Sequence, residues 1–254
     1  MIKVDRVNVS LGGSPILKDV SFSVEAGTVA GYLGPNGAGK TTTIRLLTGV
    51  LTPDSGRVTL GDIDVADNPL EAKRRFGYVP EHGHLYESFT PMEYLLFVGR
   101  MHGVEEALLK KRIRALLQFW ALADNIGRKM NGFSKGQKQK VLLSAAVLHD
   151  PPVLLLDEPL TGLDAHAVLQ LRAFLRTRAG AGRTVFYSSH LMDAVEKVAD
   201  RVIVLNNGEV VAQGPPDEVK NAVGRDSLEG AFSHLTSTAD PDEEAAELEA
   251  EAFA

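Results

Sequence analysis

An apolar run, Ala30 to Leu33, leads into Gly34-Pro35-Asn36-Gly37-Ala38-Gly39-Lys40-Thr41, and Thr41 to Val50 then takes helical spacing with Ile44, Leu46 and Leu47 on its inner side. The order strand, glycine-rich turn, helix commits this stretch to an α/β unit, and the spacing G-x-x-x-x-G-K-[ST] gives it a chemistry. Glycines let the backbone turn its N–H groups inward without side-chain clash. Those donors and the positive end of the following helix hold phosphate oxygens. Lys40 adds a point charge for terminal phosphates, and the Thr41 hydroxyl is placed for Mg²⁺. The plain alternative is a glycine-rich turn that happens to carry a lysine. The flanking strand and helix argue against it.

The rest of the chain extends the α/β pattern. Residues 1–30 alternate apolar and polar (Ile2, Val4, Val7, Val9, then Val20, Phe22, Val24), as half-buried strands do. Arg57 to Val65 and Phe76 to Val79 also read as strands. Met92 to Met101, Glu105 to Trp120 and Ser134 to His149 have helical spacing, and Pro151-Pro152 ends that block. Val153 to Leu156 is an unbroken apolar strand of the kind buried on both faces. Helix (Ala165 to Arg178), strand (Thr184 to Ser188), helix (Leu191 to Ala199) and strand (Val202 to Asn206) follow, and Asn207-Gly208 signals a hairpin. The fold class expected is α/β: a mainly parallel sheet with flanking helices, an antiparallel β subdomain, and an inserted helical subdomain at about 85–150. Residues 1–224 form the expected main domain and 225–254 a C-terminal extension.

Charge narrows the function classes. The net charge is −6, yet Asp226 to Ala254 holds nine acidic residues and no Lys or Arg, leaving a body at +3. An acidic tail on a near-neutral body argues against a nucleic-acid binder. Asp240 to Ala254 reads as a solvated, frayed tail, with Glu-Ala-Ala-Glu-Leu-Glu-Ala-Glu able to form a short helix. There is no cysteine, hence no disulfide. Met1-Ile2-Lys3-Val4-Asp5 is not expected to be a secretory signal, and no apolar run is long enough to span a bilayer.

Asp157-Glu158 stand where the buried strand Val153 to Leu156 leaves the sheet, the end at which ligands gather in open α/β sheets. Asp157 is placed to hold Mg²⁺ and Glu158 to accept a proton from an attacking water. Alone, an acidic pair at a strand exit means little. After a phosphate loop it gains a role. His82-Gly83-His84 lacks further metal ligands and reads as solvent-exposed.

Phe133-Ser134-Lys135-Gly136-Gln137 resembles the signature of ABC ATPases, commonly L-S-G-G-Q. Thr161-Gly162-Leu163-Asp164 resembles the loop after the acidic strand in that family, and Ser188-Ser189-His190 its switch histidine. The motifs occur in family order, over residues 1 to about 235. The resemblance implies a P-loop NTPase core. It implies ATP held by Gly34, Pro35, Asn36, Gly37, Ala38, Gly39, Lys40, Thr41 and Thr42. It implies Mg²⁺ at Thr41, Asp157 and Glu81, with Glu158 and His190 catalytic. Ser134, Gly136 and Gln137 then face the terminal phosphate bound by the opposite subunit of a head-to-tail dimer, or of a paired ABC ATPase. Ser134 also reads as a plain N-cap. The implied partner is an integral membrane permease, which would hold the chain at the cytoplasmic face of the membrane. The insert near Glu81 and Leu85 to Leu96 would be its docking surface.

Three positions depart from the common pattern. Leu11 stands where an aromatic usually stacks on adenine, at a cost of about 1 kcal/mol of stacking. Glu81 replaces a glutamine. Lys135 replaces the first signature glycine and is expected to cost backbone freedom. Ser-Lys-Gly, with Ser227-Leu228-Glu229-Gly230-Ala231-Phe232, resembles a bacterial branch paired with separate exporter permeases, so export is expected over import. The rival readings are a cytosolic ABC-type ATPase acting on ribosomes or nucleic acid, and a regulatory module with a decayed site. The single cassette and acidic tail weigh against the first, and the intact Lys40, Asp157, Glu158 and His190 against the second.

Overall fold

Alternation at the start of the chain builds two long antiparallel strands, β1 (Ile2–Leu11) and β2 (Ser14–Val24), joined through Gly12 and Gly13. The inward residues step by two, except from Val4 to Val7 and from Leu17 to Val20. A step of three keeps a face buried only if one residue is bulged out. Arg6 and Asp19 supply it, both with φ of 48° and both at register shifts or within them. The structure is a computed structural model and describes residues 1–236 and 249–252.

β3 (Val29–Leu33) follows, then α1 (Lys40–Leu47), β4 (Ser55–Leu60), β5 (Ile63–Asp64), α2 (Pro69–Arg75) and β6 (Phe76–Val79). The insert holds α3 (Pro91–Met101), α4 (Glu106–Phe119) and α5 (Lys135–Val147). The chain continues through β7 (Val153–Leu156), α6 (Ala165–Gly180), β8 (Thr184–Ser188), α7 (Met192–Glu196), β9 (Arg201–Asn206), β10 (Glu209–Gly214), α8 (Pro216–Ala222) and α9 (Leu228–Thr236).

Two sheets result. One has the order β2-β1-β4-β5 and is antiparallel throughout. The other has the order β10-β9-β3-β8-β7-β6. Its neighbours are parallel from β9 to β6, with β10 antiparallel at the edge through the Asn207–Gly208 turn. Its parallel strands are largely buried on both faces, so they show no polar alternation, whereas the edge strand β10 alternates; the buried side chains still divide by period two. Leu154, Leu156, Val185 and Tyr187 join a core with α3 to α6, whereas Val153, Leu155 and Phe186 join one with the antiparallel sheet and α1.

The insert lies in the chain between β6 and β7, which are direct neighbours in the sheet. Leu109, Ile113 and Leu117, spaced by four, are fully buried and tie α4 to the same core as β7. Ser134 caps α5 with a capping box: its Oγ accepts from the Gln137 backbone amide, and its own backbone amide donates to the Gln137 side-chain oxygen Oε1.

Several elements differ from expectation. The strand read over Arg57 to Val65 is a hairpin broken at Gly61, and α7 ends at Glu196 rather than Ala199. α2, α8 and α9 were not anticipated. α2 and α8 are seven residues long, too short for a stable period, and each has only one buried side chain. α9 packs on α7, α8 and β9 with Leu228 and Ala231 fully buried. The frayed tail expected over Asp240 to Ala254 lies outside the described residues, except 249–252, which are helical and exposed. Among the described residues no helix is long and apolar enough to cross a membrane.

Candidate functional site

β3 and β7 end on either side of β8, so three strand exits converge on one cleft of about 640 Å³. Its lining includes Lys40, Thr41, Glu81, Asp157, Glu158 and His190.

The β3 exit forms the glycine turn. Gly37 and Gly39 have φ of 80° and 111°, where only glycine is unstrained. Gly39 is doubly required, since a Cβ there would sit 2.6 Å from Leu17 of β2. Pro35, Asn36, Gly37, Gly39, Lys40, Thr41 and Thr42 line the cleft. Gly34 and Ala38 lie beneath it and brace the turn: the Gly34 carbonyl accepts from the Lys40 ammonium at 2.6 Å, and the Ala38 carbonyl accepts from the Gly208 amide. Lys40 Nζ also donates to the Pro35 carbonyl at 3.2 Å. Burial pushes the Lys40 ammonium below its usual range, while Glu158, Asp157 and Glu81 pull it back up. Lys40 thus rests on two backbone carbonyls near three carboxylates, a charge arrangement that suits a polyanion accompanied by a metal.

The β7 exit carries the two carboxylates. The Asp157 amide donates to the Val79 carbonyl at 2.8 Å, which continues the β6–β7 pairing and holds Asp157 at the cleft floor. Burial lifts the Asp157 carboxyl above its ordinary value and Glu81 adds to the rise; the Ser188 hydroxyl, Lys40 and Arg45 oppose it. Glu158 then leaves the strand with φ of 48°, a left-handed conformation that costs a non-glycine residue roughly 1–2 kcal/mol. Without that turn, adjacent strand residues point to opposite faces. The β8 exit brings His190, whose Nδ1 lies 2.8 Å from Glu158 Oε2. His190 is largely exposed and Glu158 largely buried, so the imidazole caps the carboxylate from the solvent side.

Thr41, Asp157 and Glu81 offer oxygen donors alone, which suits a hard cation. Among the described residues no cluster of three or more His, Asp or Glu is arranged as a metal cage. Mg²⁺ seldom needs one: it keeps waters and takes phosphate oxygens beside one or two carboxylates. The donor set therefore fits Mg²⁺ arriving with a nucleotide.

Not every expected residue is in the cleft. Leu11 is exposed at the β1–β2 turn, and the apolar wall is Ile16 instead. Sequence reading missed Ile16 because only the packing of β2 on the glycine turn brings it there. Ser134, Gly136 and Gln137 also lie outside the lining. The start of α5 meets the segment after Glu158 through Gly136 and Gln139: a Cβ on Gly136 would sit 2.6 Å from the Gly162 carbonyl, and Gln139 donates to the Pro159 carbonyl. Lys135 stands in ordinary helical backbone, a conformation that does not require glycine. It is the first residue of α5, and its stem lies over Gly162, which has room for it because it lacks a Cβ. His82 and His84 are exposed, as expected.

Comparison with known proteins agrees with this geometry. Residues 17–161 match the family described as ABC transporter. The linearmycin resistance ATP-binding protein LnrL of Bacillus subtilis (strain 168) is 34% identical over 228 residues, covering 90% of this chain and 73% of that protein. The Nod factor export ATP-binding protein I of Bradyrhizobium diazoefficiens is 38% identical over 216 residues, covering 84% of this chain and 71% of that protein. A solved ATP-binding subunit of an ABC transporter superposes with a TM-score of 0.88 at 32% identity, covering 92% of this chain and 99% of that one.

Proposed function

The chain belongs to the ABC transporter family as an ATP-binding subunit, and from that premise we propose that it hydrolyses ATP to drive transport, in the direction of export, through a separate membrane permease. The observation that carries the reading is the convergence of Lys40, Asp157, Glu158 and His190 on one cleft, while the Ser134 turn faces elsewhere on the same chain.

In this reading the glycine turn and Lys40 bind the phosphates, and Ile16 covers the base. Thr41, Asp157 and Glu81 hold Mg²⁺, which when bound neutralises charge on the terminal phosphates. Glu158 accepts a proton from the attacking water, and His190 keeps its carboxylate oriented. Ser134, Gly136 and Gln137 complete the cleft of a second copy, so two chains close head to tail around two nucleotides. Ser134 keeps its amide-facing cap in that arrangement, and the amides at the start of α5 meet the phosphate. ATP binding and hydrolysis then close and open the pair.

The permease docks on the insert. Tyr86, Phe97 and Met101 are exposed there, and Tyr86 packs in one aromatic cluster with Phe89, Tyr94 and Phe97, an apolar surface close along the chain to Glu81. Export follows the Ser-Lys-Gly signature and the export role that the Nod factor relative carries in its name. The C-terminal extension that begins at residue 225 docks on the ATPase domain through α9, with Leu228 in the main core.

The decisive experiment is Glu158→Gln. It should bind ATP within about threefold of the parent, lower turnover about 100-fold or more, and accumulate as an ATP-bound dimer in size-exclusion chromatography. Parental turnover in that variant would remove Glu158 as the base. Lys40→Ala should weaken nucleotide binding itself. Co-purification with an integral membrane protein, as against co-sedimentation with ribosomes, tests the partner.

A further inference from the structure

Ser188 is the last residue of β8 and has no exposed surface. Its hydroxyl makes two contacts with the acidic pair: it lies 2.6 Å from Asp157 Oδ1 and 3.0 Å from the Glu158 backbone nitrogen. The direction of each bond is forced. An amide only donates, so Oγ accepts from Glu158; a carboxylate only accepts, so the hydroxyl proton goes to Asp157. One hydroxyl is thus wedged between the backbone of one carboxylate residue and the side chain of the other, in a chain of bonds that polarise one another.

This contact sits at the one strained residue of the cleft. Glu158 must turn left-handed for both carboxylates to face the same space. The turn leaves its amide without a ladder partner, and a buried unpaired amide would favour relaxing the turn. Ser188 supplies the missing acceptor. Two residues on, His190 meets the other end of the same residue, with its ring at 2.8 Å and its backbone amide at 3.4 Å from Glu158 Oε2. The exit of β8 therefore grips Glu158 at both backbone and carboxylate.

We propose that Ser188 is a positioning residue for hydrolysis: its hydroxyl holds Glu158 in the left-handed turn and keeps the Asp157 and Glu158 carboxylates aimed into one cleft. The proposal rests on the reading of Glu158 as the base. Ser188 touches no nucleotide in this scheme, so its loss should separate turnover from binding.

The test uses the full chain with Ser188→Ala, Ser188→Thr and Ser188→Cys. Hydrogen exchange of residues 156–160, without nucleotide, reports the Glu158 amide directly. Ser188→Ala should speed that exchange about tenfold or more, with the rest of the chain unchanged. Binding of ATP in EDTA should stay within about threefold, while kcat with Mg²⁺ falls about 30- to 100-fold. Ser188→Thr keeps the hydroxyl and should recover kcat to within about fivefold of the parent. Ser188→Cys keeps the size but donates weakly, so it should exchange and turn over between parent and alanine variant, and it carries the test if the alanine variant does not fold. Unchanged exchange at Glu158, parental kcat in Ser188→Ala, or a folded Ser188→Thr as impaired as Ser188→Ala would each overturn the proposal. A parent chain that releases no phosphate from ATP would sink the hydrolytic reading instead, and the exchange result would judge Ser188 on its own.

Discussion

Gly136 and Lys135 are chain neighbours with opposite demands. Gly136 has no free space, because the Gly162 carbonyl would meet its Cβ at 2.6 Å. Lys135 has its stem over Gly162 and an ordinary helical backbone, with no positive φ. A lysine in place of the first signature glycine is therefore tolerated by a glycine elsewhere, not by backbone freedom of its own. Gly136→Ala should force α5 from the 159–164 segment and cost about 1–3 kcal/mol in urea unfolding. Lys135→Gly should cost no more than about 1 kcal/mol, from helix propensity. Equal losses in the two variants would contradict this account. The placement of Pro35, Asn36, Gly37 and Gly39 to Thr42 in the cleft was legible because each is positioned by its own stretch of backbone. Ile16 in place of Leu11 was not, because which apolar side chain reaches the cleft depends on how β2 lies against the loop.

α3, α5 and β6 meet at a pair of histidines. The rings of His102, which caps α3, and His149, just past α5, stack at 3.8 Å with 9° between planes, and His149 Nε2 lies 3.1 Å from the Phe76 carbonyl. Burial and the neighbouring His102 ring hold His149 down to about 4; Phe76 and Asp150 oppose the shift, and Arg112 adds to it. Lys73 of α2 lines the same cavity. The folded chain thus keeps His149 neutral where the unfolded chain, near 6.5, takes up a proton. Its contribution is complete above about pH 6.5 and is lost as pH falls through about 4. The full shift would be worth about 3 kcal/mol, and partial solvent exposure reduces it to about 1–2 kcal/mol. His149→Gln should flatten the fall in urea midpoint between about pH 7 and pH 5; parallel profiles for variant and parent would refute the assignment. Separately, Ser134→Ala should cost about 1 kcal/mol in thermal unfolding through the lost capping box. The helices themselves were legible from spacing, as with Leu109, Ile113 and Leu117. Their meeting at His102 and His149 was not, since 46 intervening residues separate the two rings.

At the scale of the molecule, the insert is continuous with the sheet. Leu117 of α4, Val79 of β6 and Leu156 of β7 belong to one buried cluster. Leu117→Ala should therefore lower a single unfolding transition by about 2–5 kcal/mol. Two resolved transitions would show that the insert folds as a separate unit. The sequence by itself determined the local chemistry and the order of parts: a glycine turn between strand and helix, carboxylates at an apolar strand's end, a Ser-led helix start, and a hairpin at Asn207-Gly208. These depend on contacts within a few residues, where composition and spacing act directly. The strand order β10-β9-β3-β8-β7-β6 was decided only by tertiary structure, and with it the meeting of three strand exits. So were the bulges at Arg6 and Asp19 and the hydroxyl of Ser188 between Asp157 and Glu158. Ser188 stands 30 residues beyond Glu158 in the chain and 3.0 Å from its amide in space. No local pattern encodes such a contact, because it exists only once β7 and β8 have paired.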